Sequence, residues 1–153
     1  MIYKYNVELN EKIPVLVKET AYDFDADTSV RRPDLIADMR CTYCRLDKQA
    51  EERVMMVALD TAAHVLGVFE ISHGTVHYSL ISPREIILRA LVCGASSFVL
   101  AHNHPSGSLE PSKDDCKISA AIKNAADIMD IKMLDFIIVS SNGYYSFATE
   151  KIF

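Results

Sequence analysis

Two histidines and an aspartate in the stretch His102-Asn103-His104-Pro105-Ser106-Gly107-Ser108-Leu109-Glu110-Pro111-Ser112-Lys113-Asp114-Asp115 are the residues of this chain best suited to chemistry. Histidines at i and i+2 project from the same side of an extended chain, so both imidazoles can face one point. They follow the apolar run Phe98–Ala101, where a buried strand gives way to a loop, the usual location for sites in α/β sheets. A loop containing Pro105, Gly107 and Pro111 can fold back to set Asp115, in the first turn of the next helix, beside them. Two His and one carboxylate supply three ligands to Zn²⁺ and leave a fourth position for water, the open coordination of a catalytic zinc. Each piece also has a simpler reading. His-x-His pairs are common on surfaces, and Ser112-x-x-Asp115 is by itself a helix capping box. The readings of Ser112 are compatible, because capping holds Asp115 in place.

The elements needed to position these residues are legible around them. Ser96–Ala101 reads as a short buried strand. Ser112 starts a helix to about Asp130, with Ile118, Ile122, Ala125 and Met129 on one stripe. Ser82-Pro83-Arg84-Glu85 opens an earlier helix, with Ser at the N-cap, Pro at the first helical position and Glu closing a capping box. Arg53–Leu59 and Val65–Ile71 are β-rich runs joined by a hairpin at Asp60–His64. The C-terminal part predicts a strand over Met133–Ser140, a turn at Asn142-Gly143 and a last strand over Tyr144–Phe147. Residues 1–30 alternate weakly and suggest one or two edge strands, Asp23–Asp27 an exposed loop, and Pro33–Leu46 a modest helix. Mixed helices and strands around a central buried strand make an α/β domain.

Composition narrows the function classes. At 153 residues, 50% hydrophobic and 24% charged, the chain predicts one soluble globular domain with a short appendage. The formal net charge of −5 is spread evenly with no basic block, so strong electrostatic binding to nucleic acid is not expected. No run of about 18 apolar residues occurs, which excludes a transmembrane helix. The first residues lack the apolar core of a signal peptide, so a cytoplasmic setting is expected, with Cys41, Cys44, Cys93 and Cys116 as reduced thiols. Cys41-x-x-Cys44 has no second pair to complete a zinc ribbon and reads as an incidental structural pair. His64, His73 and His77 read as surface or turn residues.

The arrangement His-x-His-Pro followed by Ser-x-x-Asp resembles the JAMM motif of the MPN (JAB) metallopeptidases, and HNHPSG…PSxxD resembles the RadC branch of that family. Ser82-Pro83-Arg84-Glu85 before an apolar helix, Leu134-Asp135-Phe136-Ile137-Ile138 and Tyr145-Ser146-Phe147 agree with it. The resemblance covers about residues 50–153. Residues 1–49 then form an N-terminal extension, unlike the helix-hairpin-helix region of longer RadC proteins. The resemblance implies an MPN/JAB-type α/β fold, a mixed β-sheet flanked by helices in an α-β-α sandwich like that of the cytidine deaminases. It also implies one Zn²⁺ per chain on His102, His104 and Asp115, with Ser112 as the serine associated with the tetrahedral intermediate. The family's general base is a glutamate on an upstream strand, and Glu70, in Val68-Phe69-Glu70-Ile71, fits that place. Glu85 is its rival, already explained by a capping box. Asn103 stands where many peptidase members carry a small hydroxyl residue.

The implied activity is zinc-dependent hydrolysis of an amide bond, as in a metallopeptidase or isopeptidase. Two other classes remain: a RadC-type repair-associated or nucleic-acid-processing factor, and a noncatalytic interaction scaffold. A zinc deaminase needs a Cys-x-x-Cys pair in its second motif, and residues 102–116 contain none. The expected substrate is a peptide or protein of unspecified identity, with no membrane partner; the oligomeric state stays open.

Overall fold

In a computed structural model of the chain, the described residues are 1–23, 36–38, 44–74 and 81–152. Apolar side chains pointing both ways make the middle of its sheet. β3 (Arg53–Leu59) is buried from Val54 to Leu59, and β5 (Ser97–Asn103) is buried throughout. Such runs need a cover on each face and a strand on each side, and β5 has both. It pairs antiparallel with β3 and parallel with β6 (Lys132–Ser140). Outside this centre lie β4 (Val65–His73), β1 (Ile2–Asn10) and β2 (Ile13–Tyr22) on one side and β7 (Gly143–Ser146) on the other. The order is β2-β1-β4-β3-β5-β6-β7, with β1 parallel to β4.

Alternation along the strands divides the core in two. Val54, Met56, Phe69, Leu100, Phe136 and Ile138 face the helices α1 (Pro83–Val92) and α2 (Lys113–Ile128), which contribute Ile86, Ala90, Ile122 and Ala126. Met55, Val57, Val68, Val99, Ala101 and Ile137 face the opposite layer, where Ile36, Ala37 and Leu46 cover them. The helix α2 is the crossover between parallel strands β5 and β6, so its N-terminus lies where β5 ends. That connection sets the site.

Most sequence expectations hold, and three details differ. β5 does not stop at Ala101 but continues through His102 and Asn103, so the first histidine belongs to the strand itself. The strand is prolonged because β6 offers Ile138 and Val139 as pairing partners. At α1, Ser82 is the N-cap and Pro83 opens the helix, but the Ser82 side chain makes no capping bond. Glu85 closes no capping box; its carboxylate bonds Arg89 one turn on, and Arg84. Finally, residues 1–22 supply two full strands, of which only β2 is at the edge. Of the helix expected over Pro33–Leu46, residues 36–38 are helical and Leu46–Lys48 form a 3-10 turn; its remainder, apart from 44–45, lies outside the described residues, as do most of the Asp23–Asp27 loop, Cys41 and His77.

Beside the pairing of β1 with β4, the N-terminal hairpin makes a tight aromatic contact. Tyr5 stacks on Phe69, with ring centroids 5.9 Å apart. It fits because Gly67 has no side chain: a Cβ there would stand 2.7 Å from Tyr5 Cδ2 and 2.9 Å from Cε2. Gly67→Ala therefore displaces Tyr5, and overpacking of this kind costs about 1–3 kcal/mol. Urea denaturation should show that loss, and an unchanged midpoint would mean that Tyr5 moves aside freely.

Candidate metal centre

Extended backbone at the end of β5 puts His102 and His104 on one side, with ring centroids 4.7 Å apart and planes at 89°. The His104 N–H bonds the Val139 carbonyl at 3.0 Å, which carries the strand geometry one residue beyond β5. A turn closed by Gly107 N–H to the His104 carbonyl then reverses the chain. Gly107 has φ +84°, where a side chain would be strained, and its carbonyl accepts from Asn142 Nδ2 at 2.9 Å. This turn aims the Ser108 carbonyl at His104 Nδ1, 3.0 Å away. Nδ1 then carries the proton and Nε2 presents its lone pair, the arrangement that orients a metal-ligating histidine.

The helix start supplies the carboxylate. Ser112 caps α2: its Oγ accepts from the Asp115 N–H at 3.0 Å, and its own N–H donates to Asp115 Oδ2 at 2.7 Å. This reciprocal box fixes Asp115, as its spacing suggested. Asp115 Oδ1 stands 3.3 Å from His102 Nε2, and Oδ2 stands 3.5 Å from His104 Nε2. One ligand atom from each of the three residues lies within 4.8 Å of the others, so the group could hold a metal ion.

Burial and charge agree with that use. His102 is only 2% exposed, and neither ring nitrogen has a hydrogen-bond partner. An unsatisfied buried polar group costs about 1–3 kcal/mol, so a donor aimed at Asp115 and left orphaned calls for an explanation. A cation shared with Asp115 and His104 provides one. Burial lowers the His102 imidazole to about 4, against the pull of Asp115, so at neutral pH the ring is an uncharged donor. Donating a hydrogen bond to the Asp115 carboxylate favours the charged His104 ring and raises it above its ordinary 6.5. Burial works against the Asp115 charge, but His104, His102 and Ser112 outweigh it and hold the carboxyl well below its usual range. The donor set is two imidazoles and a carboxylate, which suits zinc.

Glu70 is not brought to this group. Residues paired across strands share a face, and Met55 is paired with both Glu70 and Ala101, whereas Val54 is paired with His102. Glu70 therefore lies on the face opposite His102. There its carboxylate bonds Lys4 Nζ at 3.1 Å and Arg53 Nη1 at 3.4 Å, in a small polar cavity with Tyr22 and Cys44. Glu85 is bound up with Arg84 and Arg89 on α1. Among the other histidines, His64 pairs with Asp60 and His73 with Glu51.

A different acid stands at the site. Glu52 directly precedes β3, two residues before Val54, and alternation turns its side chain to the His102 face. It lines a cleft of about 310 Å³ together with Glu51, His104, Ser106, Ser108 and Glu110. Its charge also contributes to the raised pKa of His104. In sequence its only trace is an acidic pair, Glu51-Glu52, just ahead of a β-rich run; that the start of β3 abuts the end of β5 follows from their antiparallel pairing.

The sequence profile of the RadC-like JAB domain matches residues 30–152. A UPF0758 protein of Haemophilus influenzae is 42% identical over 103 residues, covering 67% of this chain and 47% of that protein. One from Thermotoga maritima is 40% identical over 109 residues, covering 71% and 49%. One from Actinobacillus pleuropneumoniae is 34% identical over 111 residues, covering 72% and 50%. The chain thus spans about half the length of these curated relatives. With the mixed seven-stranded sheet and the His-His-Asp group in place, the chain belongs to the RadC-like JAB domain family.

Proposed function

We propose that this chain is a zinc-dependent hydrolase of the JAMM type that cleaves an amide bond, as a metallopeptidase or isopeptidase. The observation that carries the reading is His102, buried with both ring nitrogens unpartnered beside Asp115 and His104. His102, His104 and Asp115 would hold the metal. Zinc, when bound, makes water acidic near pH 7 and polarises a carbonyl oxygen. Glu52, from the adjoining cleft, takes the proton of the attacking water and returns it to the leaving amine. The Ser112 Oγ accepts from the Asp115 N–H and keeps its own proton, which it donates to the carbonyl oxygen as negative charge develops there. Residues 50–153 carry this machinery and residues 1–49 are an N-terminal extension to it, of which β1 pairs with β4. We place the enzyme in the cytoplasm; among the described residues no helix is long and apolar enough to cross a membrane.

Among the described residues lining the cleft, Glu51, Glu52 and Glu110 are acidic and none is a Lys or Arg, which disfavours a polyanionic substrate. Purified protein, loaded with zinc and with a chelator-treated control, should cleave members of a panel of amide and isopeptide substrates. It should show no retention of single- or double-stranded DNA at physiological salt. Failure to take up about one zinc per chain sinks the reading. So does chelator-insensitive activity, and tight DNA binding favours the repair-factor alternative.

A further inference from the structure

Asn103 stands between the two histidines, yet it points the other way. Alternation sends its side chain to the face opposite His102 and His104, where it is 2% exposed. Both ends of its carboxamide are bonded. Oδ1 accepts from the Arg53 N–H at 2.7 Å, and Nδ2 donates to the Glu51 carbonyl at 3.0 Å and the Gln49 carbonyl at 3.3 Å. The backbone pairing of β3 with β5 begins at Val54 and His102, so these side-chain bonds continue the connection where the ladder ends.

The bonded groups flank one residue. The Glu51 carbonyl belongs to the peptide before the Glu52 Cα, and the Arg53 N–H belongs to the peptide after it. A single buried side chain therefore pins both peptide planes that set the direction of the Glu52 side chain. We propose that Asn103 is a positioning residue for the reaction: its carboxamide clamps residues 49–53 so that the Glu52 carboxylate stands beside the metal-binding histidines. The proposal rests on Glu52 as the proton-transferring group proposed above. It also explains the residue type. The clamp needs an acceptor and two donors in one short planar group. Asp lacks the donors, Ser and Thr cannot reach three partners, and Gln is a methylene too long.

The test compares Asn103→Ala and Asn103→Asp with wild type and with Glu52→Gln, all as full-length zinc-loaded protein. If Asn103→Ala does not fold, Asn103→Asp, which keeps the acceptor for Arg53, serves alone. Zinc stoichiometry and affinity should be unchanged, because no ligand is altered. The kcat should fall about 100-fold, the scale of a misplacement of about 1 Å, with KM moved less than threefold. In the Glu52→Gln background the Asn103 substitution should cost nothing more, because the residue it orients is already disabled. Independently of activity, hydrogen exchange at the Arg53 amide should quicken at least tenfold in Asn103→Ala, which loses its acceptor, while the β5 amides keep their protection. A kcat within threefold of wild type, a loss that multiplies with that of Glu52→Gln, a loss of zinc, or unchanged exchange at Arg53 in Asn103→Ala each overturn the clamp. A wild type that binds zinc but hydrolyses nothing defeats the hydrolase reading instead, and the exchange experiment still decides the clamp.

Discussion

Glu52→Gln should reduce hydrolysis by about 10²–10⁴-fold, the usual contribution of a positioned acid–base group, while zinc content stays near one per chain. Glu70→Gln should leave kcat and zinc content close to wild type. The contrast follows from the faces of the sheet. Glu52 shares a cleft with His104, whereas Glu70 is on the far side, bonded to Lys4 and Arg53. The Glu70 substitution removes the partner of two cations, so its effect belongs in stability. These ion pairs are partly exposed, and pairs of that kind contribute about 0–1 kcal/mol. Steady-state kinetics beside metal analysis of the same samples decides the matter. Loss of activity in Glu70→Gln with full activity in Glu52→Gln would reverse the assignment.

The second large effect is on stability. Zinc binding only the folded chain, at a free concentration 100-fold above its Kd, stabilises by about 2.7 kcal/mol. For a chain of this size that raises Tm by about 5–10 °C. Asp115→Asn retains an oxygen to accept from the Ser112 N–H but loses the carboxylate charge. It should weaken zinc by more than about 100-fold, beyond what outer-shell changes cost, and abolish the shift. His102→Leu gives the sharper result. It removes a ligand, so zinc no longer raises Tm, but it also removes two unpartnered buried nitrogens that lie against Phe136. The metal-free variant should unfold no lower than metal-free wild type. A drop of several degrees would show that the imidazole is held by something other than a metal.

Acidification should tell the two histidines apart in the same titrations. His102 is uncharged down to about 4, so protons do not compete for it near neutrality. His104 is raised by Asp115, so it binds a proton first as the pH falls. Zinc affinity should then weaken about tenfold per pH unit below the pKa of His104, one proton being displaced per metal bound. In the metal-free protein the same raised pKa works the other way. The His104–Asp115 pair adds stability at low pH, and that contribution is lost as the pH rises through the folded-state value. Isothermal titration in buffers of different ionisation enthalpy counts the proton, and a count of zero near neutral pH contradicts this ordering.

Local signals in the chain were sufficient for the His102, His104 and Asp115 group, which could hold a metal. Two histidines one residue apart must share a side of an extended strand, and Ser112-x-x-Asp115 must put the carboxylate in a capped first turn; both are short-range rules of backbone geometry. The same rules placed the 53–59 and 65–71 hairpin and both helices. They could not say which carboxylate stands beside that group. Every residue of β3 from Val54 to Leu59 is buried, so its sequence shows no alternation to say which side chains face which layer. Val68 and Phe69 of β4 are buried as well, so its own alternation does not say which layer Glu70 joins. A one-residue slip reverses every side chain, and it is the pairing of Glu70 with Met55 that sets it on the face away from His102. The choice of Glu52 required knowing that β3 lies beside β5, which is a long-range fact. Thus residue types and spacing determined what could bind a metal. The sheet order and its register decided which carboxylate stands next to it, because a side chain's face depends on the neighbouring strand as well as on its own.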